Sequence, residues 1–172
     1  MELTFALLAE FPEIVPTVAR WIFDEWGHER PGSSVEGIAE DISAKLDPMR
    51  LPIQVLALSD GCAVGVAILK PHEMKDQFPE RTPWLGSLVV ARAHRGKGIG
   101  SALTRTIEEL ASSRGFSRLY LQTELQDGGL YARRGWTTCD RLPYRSYHAH
   151  VMTKEVVPWV AAGVAQLKGR TP

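Results

Sequence analysis

The chain has 172 residues, enough for one domain with a core of its own. Twenty Lys and Arg balance twenty Asp and Glu, so the formal net charge is zero and the broad basic field of a nucleic-acid-binding protein is missing. Apolar residues at 44% fit a globular chain, and no run reaches membrane-spanning length.

Cys62 and Cys139 have neither metal nor disulfide spacing, which points to a reducing cytoplasm. The first eight residues lack a basic region and carry too short an apolar run for a secretory signal. Residues 3–8 read as a strand. Val15, Val18, Ala19, Ile22, Phe23 and Trp26 then recur at helical spacing. After a loop with Pro31 and Gly32, Ser33 and Glu36 form a capping-box pattern for a helix carrying Ile38, Ile42 and Leu46, closed by Pro48 and Pro52. Residues 53–59 and 62–69 are strand-like runs joined by Asp60-Gly61, a hairpin signal. Residues 71–83 are polar and read as a mobile loop.

A buried strand is expected over residues 84–90, then a glycine turn, then a helix to Arg114 with Gly115 behind it. Its stripe is Ile99, Ala102, Leu103, Ile107, Leu110 and Ala111. Residues 116–123 form another strand, 127–134 a short helix ending at Gly135, and 136–142 with 147–153 two antiparallel strands. The tail from residue 156 is apolar, with Trp159, Val160, Val164 and Leu167, and suits a docked helix or a subunit interface. The pattern predicts one α+β domain over residues 1–172 with a mixed sheet.

The turn Arg95-Gly96-Lys97-Gly98-Ile99-Gly100-Ser101 carries the chemistry. A helix start has N–H groups without helical partners and a partial positive charge from aligned peptide dipoles. Glycines there let a phosphate oxygen approach the backbone, and Arg92, His94, Arg95 and Lys97 add cations nearby. No Gly-Lys-Ser/Thr closes the turn, so it is not a Walker loop. A dinucleotide site is a rival, since Gly96-x-Gly98 follows a strand and Glu124 ends the next one. Against it, Ser101 holds the third glycine position and a hairpin precedes the turn. His148 and His150 share a strand face, but no third ligand is evident, so no metal is expected.

Arg95-x-x-Gly98-x-Gly100 between an apolar strand and a long helix resembles the acetyl-CoA signature of the GCN5-related N-acetyltransferase (GNAT) family. Leu130-Tyr131-Ala132-Arg133-Arg134-Gly135-Trp136 resembles the family's short helix and following strand. The likeness runs from about Ile53 to Lys154 and is strongest from Trp84 to Trp136. It implies a GNAT-like central mixed β-sheet of about six to seven strands flanked by helices. It also implies an acetyl-CoA-dependent N-acetyltransferase acting on a small-molecule or peptide amine, without nucleic acid, membrane or metal.

By that resemblance Leu88, Val89 and Val90 pair with the pantetheine arm. The diphosphate sits on the amides of Arg95, Gly96, Lys97, Gly98, Ile99, Gly100 and Ser101. The strands at residues 84–90 and 116–123 splay around the thioester, and Tyr131 serves the leaving thiolate. Trp26, His28, Trp84 and Tyr144 line the acceptor pocket, with Gly27, Arg145 and Tyr147 close by. The central strand has no carboxylate, so the base is open among Glu124, Glu25, His28, His72 and a water chain. The asparagine that often follows the second splayed strand is missing; Thr123, Gln126 and Asp127 stand in its place. GNAT proteins are often dimers, which makes a homodimer an expectation here. A non-catalytic CoA-binding or sensor module is the rival that keeps the cradle without needing Tyr131.

Overall fold

The computed structural model describes residues 2–157. Asp60 and Gly61 both take left-handed backbone angles (φ 49° and 81°), the two-residue turn whose twist suits a tight hairpin. It joins β2 (Ile53–Ser59) to β3 (Cys62–Lys70), and β1 (Leu3–Leu7) pairs with the outer side of β2. β2 and β3 are near-continuous apolar runs because both of their faces are covered. β4 (Trp84–Val90) runs antiparallel to β3 and parallel to β5 (Arg118–Thr123). β6 (Thr137–Tyr144) and β7 (Tyr147–Glu155) close the far edge, giving seven strands in the order β1-β2-β3-β4-β5-β7-β6.

Among the described residues four α-helices cover this sheet: α1 (Val15–Trp26), α2 (Val35–Ser43), α3 (Ile99–Ser113) and α4 (Gly129–Arg133). The two-residue period of the strands sorts side chains to opposite faces. Val55, Val64, Leu85, Leu119, Leu121 and Met152 pack with Ile99, Leu103 and Ile107 of α3. Leu56, Val66, Ile68 and Val89 meet Val15, Val18 and Ile22 of α1 and Ile42 of α2. A third cluster, Met74, Trp84, Ala149 and Val151, fills the part of the sheet reached by neither helix pair.

Three expectations change. The cap of α2 is Ser34, not Ser33: its Oγ accepts from the Gly37 amide at 3.0 Å, and the helix ends at Ser43, before Leu46. The segment 71–83 is anchored, because Met74 is buried, Phe78 lies 6.3 Å from Trp84 ring to ring, and Arg81 pairs with Asp140 at 2.7 Å. Its few apolar residues supply the lid that Trp84 needs. The ends of α4, β5 and β6 move by one to two residues, the usual uncertainty at fraying termini. Of the apolar tail, Val156 donates its amide to Ser117 O at 2.9 Å, while Trp159, Val160, Val164 and Leu167 lie outside the described residues. Among the described residues no helix is long and apolar enough to cross a membrane.

Candidate active site

β4 and β5 lie side by side yet share one register pair among the described residues, Trp84 with Tyr120. Beyond it the strands part, leaving Val89 and Val90 with sheet partners on the β3 side alone. Where Ala67 of β3 stands, β4 carries two residues, Ser87 and Leu88, which makes a bulge. Ser87 sits at φ 48°, a left-handed angle costly for a residue with a Cβ. The bulge re-aims β4 where it leaves β5.

The groove of about 440 Å³ beyond the split is lined by Leu88, Val89, Val90, Arg95, Gly96, Gly98, Ile99, Gly100 and Ser101. Lys97 is exposed and outside the lining. Gly98 is the N-cap of α3 at φ 79°, and no side chain caps the helix. The amides of Gly96 to Ser101 therefore stay open to a ligand, and a Cβ at Gly96 or Gly98 would meet nothing within 4 Å. Free donors, a helix start and empty space together fit a diphosphate. Arg95 departs from its expected part. Its amide donates to Arg92 O at 3.3 Å, its Nε donates to Val90 O at 2.9 Å, and its guanidinium is ion-paired with Glu25. The open donors thus begin at Gly96, and Arg95 braces the groove wall.

Tyr131 stands on α4 beside this groove, whose lining includes its neighbour Leu130. Its ring packs edge-on against Trp136, with centroids 6.2 Å apart, and against the core under α3. Burial alone pushes its phenol up to about 12, so it is a proton carrier across the whole neutral range. The loop ahead of α4 spends its polar groups on itself: Thr123 Oγ1 accepts from the Leu125 amide at 3.2 Å and Asp127 Oδ1 from the Gly129 amide at 2.9 Å. Gln126 contacts the buried His150 at 3.0 Å.

On the opposite face Trp84 is wholly buried, its indole N–H donating to Arg81 O at 2.6 Å. It is a core residue, not part of an acceptor pocket, because its neighbours Met74, Phe78 and Tyr120 leave it no open side. Trp26 is half-buried against the α1–α2 cluster and His28 is exposed. Tyr144 sits edge-on to Tyr147 at 5.9 Å, and Arg145, next to Tyr144, pairs with Glu29, next to His28, at 3.1 Å. That ion pair joins the loop after α1 to the β6–β7 hairpin, 116 positions apart.

Among the candidates for a base, Glu25 is taken by Arg95 and Glu124 is exposed on the loop after β5. His72 has a buried, unpartnered Nδ1. A residue not among the candidates, Glu73, pairs with Lys70 at 2.6 Å and keeps 12% of its side chain exposed. Its Oε2 lies 2.9 Å from where a Cβ on Gly86 would sit. Glycine at 86 thus lets a carboxylate lie on β4 just before the bulge. The absence of an acidic residue on the strand itself hid it; Gly86 beside Ser87 was the readable signal.

The Acetyltransferase (GNAT) family model matches residues 6–136. Among solved structures, the chain is similar to an aminoglycoside 6'-acetyltransferase type Ii at 22% identity and TM-score 0.69, covering 92% of this chain and 99% of that one. It is similar to an aminoglycoside 6'-N-acetyltransferase complexed with coenzyme A at 19% identity and TM-score 0.69, covering 92% and 98%. It is also similar to yncA from Salmonella typhimurium with its cofactor acetyl-CoA, at 15% identity and TM-score 0.68, covering 95% and 99%. No curated protein gives a significant match. At such identities the structures speak for the fold, and the sheet order with largely antiparallel neighbours removes the dinucleotide reading. With the family model matched over well more than half its length, the chain belongs to the GNAT acetyltransferases, and acetyl-CoA is its acetyl donor.

Proposed function

We propose that the protein transfers the acetyl group to a primary amine by direct attack within a ternary complex. The observation that carries this reading is the opening between β4 and β5 beside the unpartnered amides of Gly96 to Ser101. Acetyl-CoA supplies an acyl group activated as a thioester. The amides hold its diphosphate, and the edge of β4 at Leu88, Val89 and Val90 pairs with the arm that leads into the gap. A backbone N–H in that stretch faces the carbonyl oxygen as negative charge develops there.

An alkylamine with a pKa of ~10.4 arrives mostly protonated at neutral pH, so a base must take one proton before nitrogen attacks. Glu73, lying over Gly86 of β4, is a group of suitable chemistry, with Lys70 holding the place of the incoming ammonium. The amine nitrogen then bonds to the carbonyl carbon, the C–S bond breaks with its electron pair staying on sulfur, and the nitrogen gives up its second proton to solvent while the thiolate takes one up on release, leaving amide and free thiol. Tyr131 donates its hydroxyl to that thiolate. With the phenol pushed up to about 12 and a free thiol near ~8.5, full transfer in the resting site runs uphill by about 5 kcal/mol. Tyr131 therefore acts first as a hydrogen-bond donor, and the same burial that raises its own pKa raises the thiol's and narrows the gap.

Trp26, His28 and Tyr144 border the acceptor side, where aromatic faces hold a cationic amine. Both cysteines are free thiols, which supports a cytoplasmic setting. The test is Tyr131→Phe, with turnover read as free CoA thiol over a panel of polyamines, aminoglycosides, lysine and peptide N-termini. Turnover about a hundredfold lower with acetyl-CoA binding retained supports the reading. A non-catalytic CoA-binding module would show no turnover with any amine in either form.

A further inference from the structure

Glu108 sits in the middle of α3 with only 10% of its side chain exposed, an expensive place for a carboxylate unless it is fully partnered. It is partnered three times. Oε1 accepts from Trp136 Nε1 at 2.8 Å, and Oε2 accepts from Arg134 Nη2 at 3.0 Å and Lys154 Nζ at 2.9 Å. Burial pushes its pKa up, but the hydrogen bonds from Lys154, Trp136 and Arg134 outweigh that and hold it below the ordinary value. Lys154 also donates to Arg134 O at 2.8 Å, so Arg134 is held by both side chain and main chain.

Two of these bonds end on the corner that carries Tyr131, at Arg134 and Trp136, and Lys154 on β7 reaches the same corner through Arg134 O. The Tyr131 carbonyl accepts from the amides of Arg134 at 2.9 Å and Trp136 at 3.1 Å, and the Tyr131 ring rests edge-on against the Trp136 indole. α4 is a single short turn and has no capping side chain of its own at Gly128. Its place is thus set from outside. Arg134 Nη1 reaches to 3.5 Å of Ser101 Oγ, in the first turn of α3 beside the open amides.

We propose that Glu108 is a positioning residue: through Trp136, Arg134 and Lys154 it locks the α4–β6 corner to α3, fixing the Tyr131 hydroxyl relative to the cofactor groove. The inference rests on the reading of Tyr131 as the group that meets the thiolate. A misplacement of about 1 Å in a reacting group can cost around a hundredfold in rate, which is the scale such a lock protects.

The experiment is a double-mutant cycle on the full chain with Glu108→Gln and Tyr131→Phe. Steady-state kinetics and acetyl-CoA affinity are measured for each form, after melting curves establish that each is folded. Glu108→Gln keeps an oxygen for Trp136 but leaves two cations without their anion. It is expected to lower kcat about tenfold or more with acetyl-CoA affinity nearly unchanged, and to have no further effect once Tyr131 is Phe. Losses that multiply in the double variant, or an unchanged kcat in Glu108→Gln, would overturn the positioning role while leaving Tyr131 in place. Full activity in Tyr131→Phe would remove Tyr131 itself and this inference with it, a separate outcome. If Glu108→Gln does not fold, Lys154→Met enters the same cycle. It drops one donor and keeps Arg134 as counter-ion, and its smaller kcat loss must also vanish in the Tyr131→Phe background.

Discussion

The cofactor side and the acceptor side of the cleft are built in opposite ways. The cofactor side comes mainly from one continuous stretch, β4 through the start of α3, with Glu25, Leu130 and Arg133 at its borders, and its amides from Gly96 to Ser101 are left without protein partners. On the acceptor side polar groups are already matched, locally for Glu73 with Lys70 and between distant segments for Glu29 with Arg145 and for Tyr147, which donates to Gln122 at 2.8 Å. An empty cradle waits for a ligand whose diphosphate does not vary. Under the proposed function, a surface of internal ion pairs must exchange partners when an amine arrives, so acceptor binding would compete with contacts that already exist. The proposed function thus draws affinity on the first side from backbone and selectivity on the second from side chains.

The sharpest way to break that contrast is at Gly98. Gly98→Val puts a branched side chain where φ is 79° and in the space left for phosphate, so acetyl-CoA binding by calorimetry should fall below detection. Retained affinity would mean that the amides are not the grip. Next in size is Glu73→Gln, which leaves the cofactor side alone and should lower kcat/KM for the amine by about a hundredfold or more, with acetyl-CoA affinity as in the wild type. A drop of under threefold would pass the role of base to His72 or to solvent.

Glu108→Gln should cost about 3 kcal/mol at neutral pH, since it leaves Lys154 and Arg134 partly buried without their anion. The sign of the pH dependence follows from the lowered folded-state pKa. The contribution of Glu108 is present above its unfolded pKa and is lost as pH falls through the folded value. Melting temperatures of wild type and variant should thus converge in acid, and a gap that stays constant with pH would contradict the charge argument. The smallest effect belongs to the clasp between Glu29 and Arg145, for which a double-mutant cycle should give a coupling of about 1 kcal/mol, read mainly in the amine KM.

How far the chain could be read from its letters differs between the same two sides. The glycine turn was legible because local chemistry decides it: Gly98 needs no neighbour to take a left-handed angle, and α3 starts at Ile99 by its own periodicity. The Asp60-Gly61 hairpin was legible for the same reason. Trp84 misled, because an aromatic at the head of a strand reads the same whether it borders a pocket or fills a core. Segment 71–83 misled through its polar composition, which hid Met74 and Phe78 as the lid on that tryptophan. Glu73 was passed over since it lies 13 positions from Gly86, the residue it overhangs.

The sequence by itself determined the order of elements, the glycine turn at the head of α3 and the family that these announce, because turns, caps and periodicity are settled by residues within a few positions of each other. Only the tertiary structure decided that Arg95 braces a wall, that Glu73 overhangs β4, and that Glu108 holds the corner bearing Tyr131. Those contacts of charged side chains reach as far as 70 positions along the chain, and a charged residue carries no local mark of the partner it will meet once burial has stripped away its water.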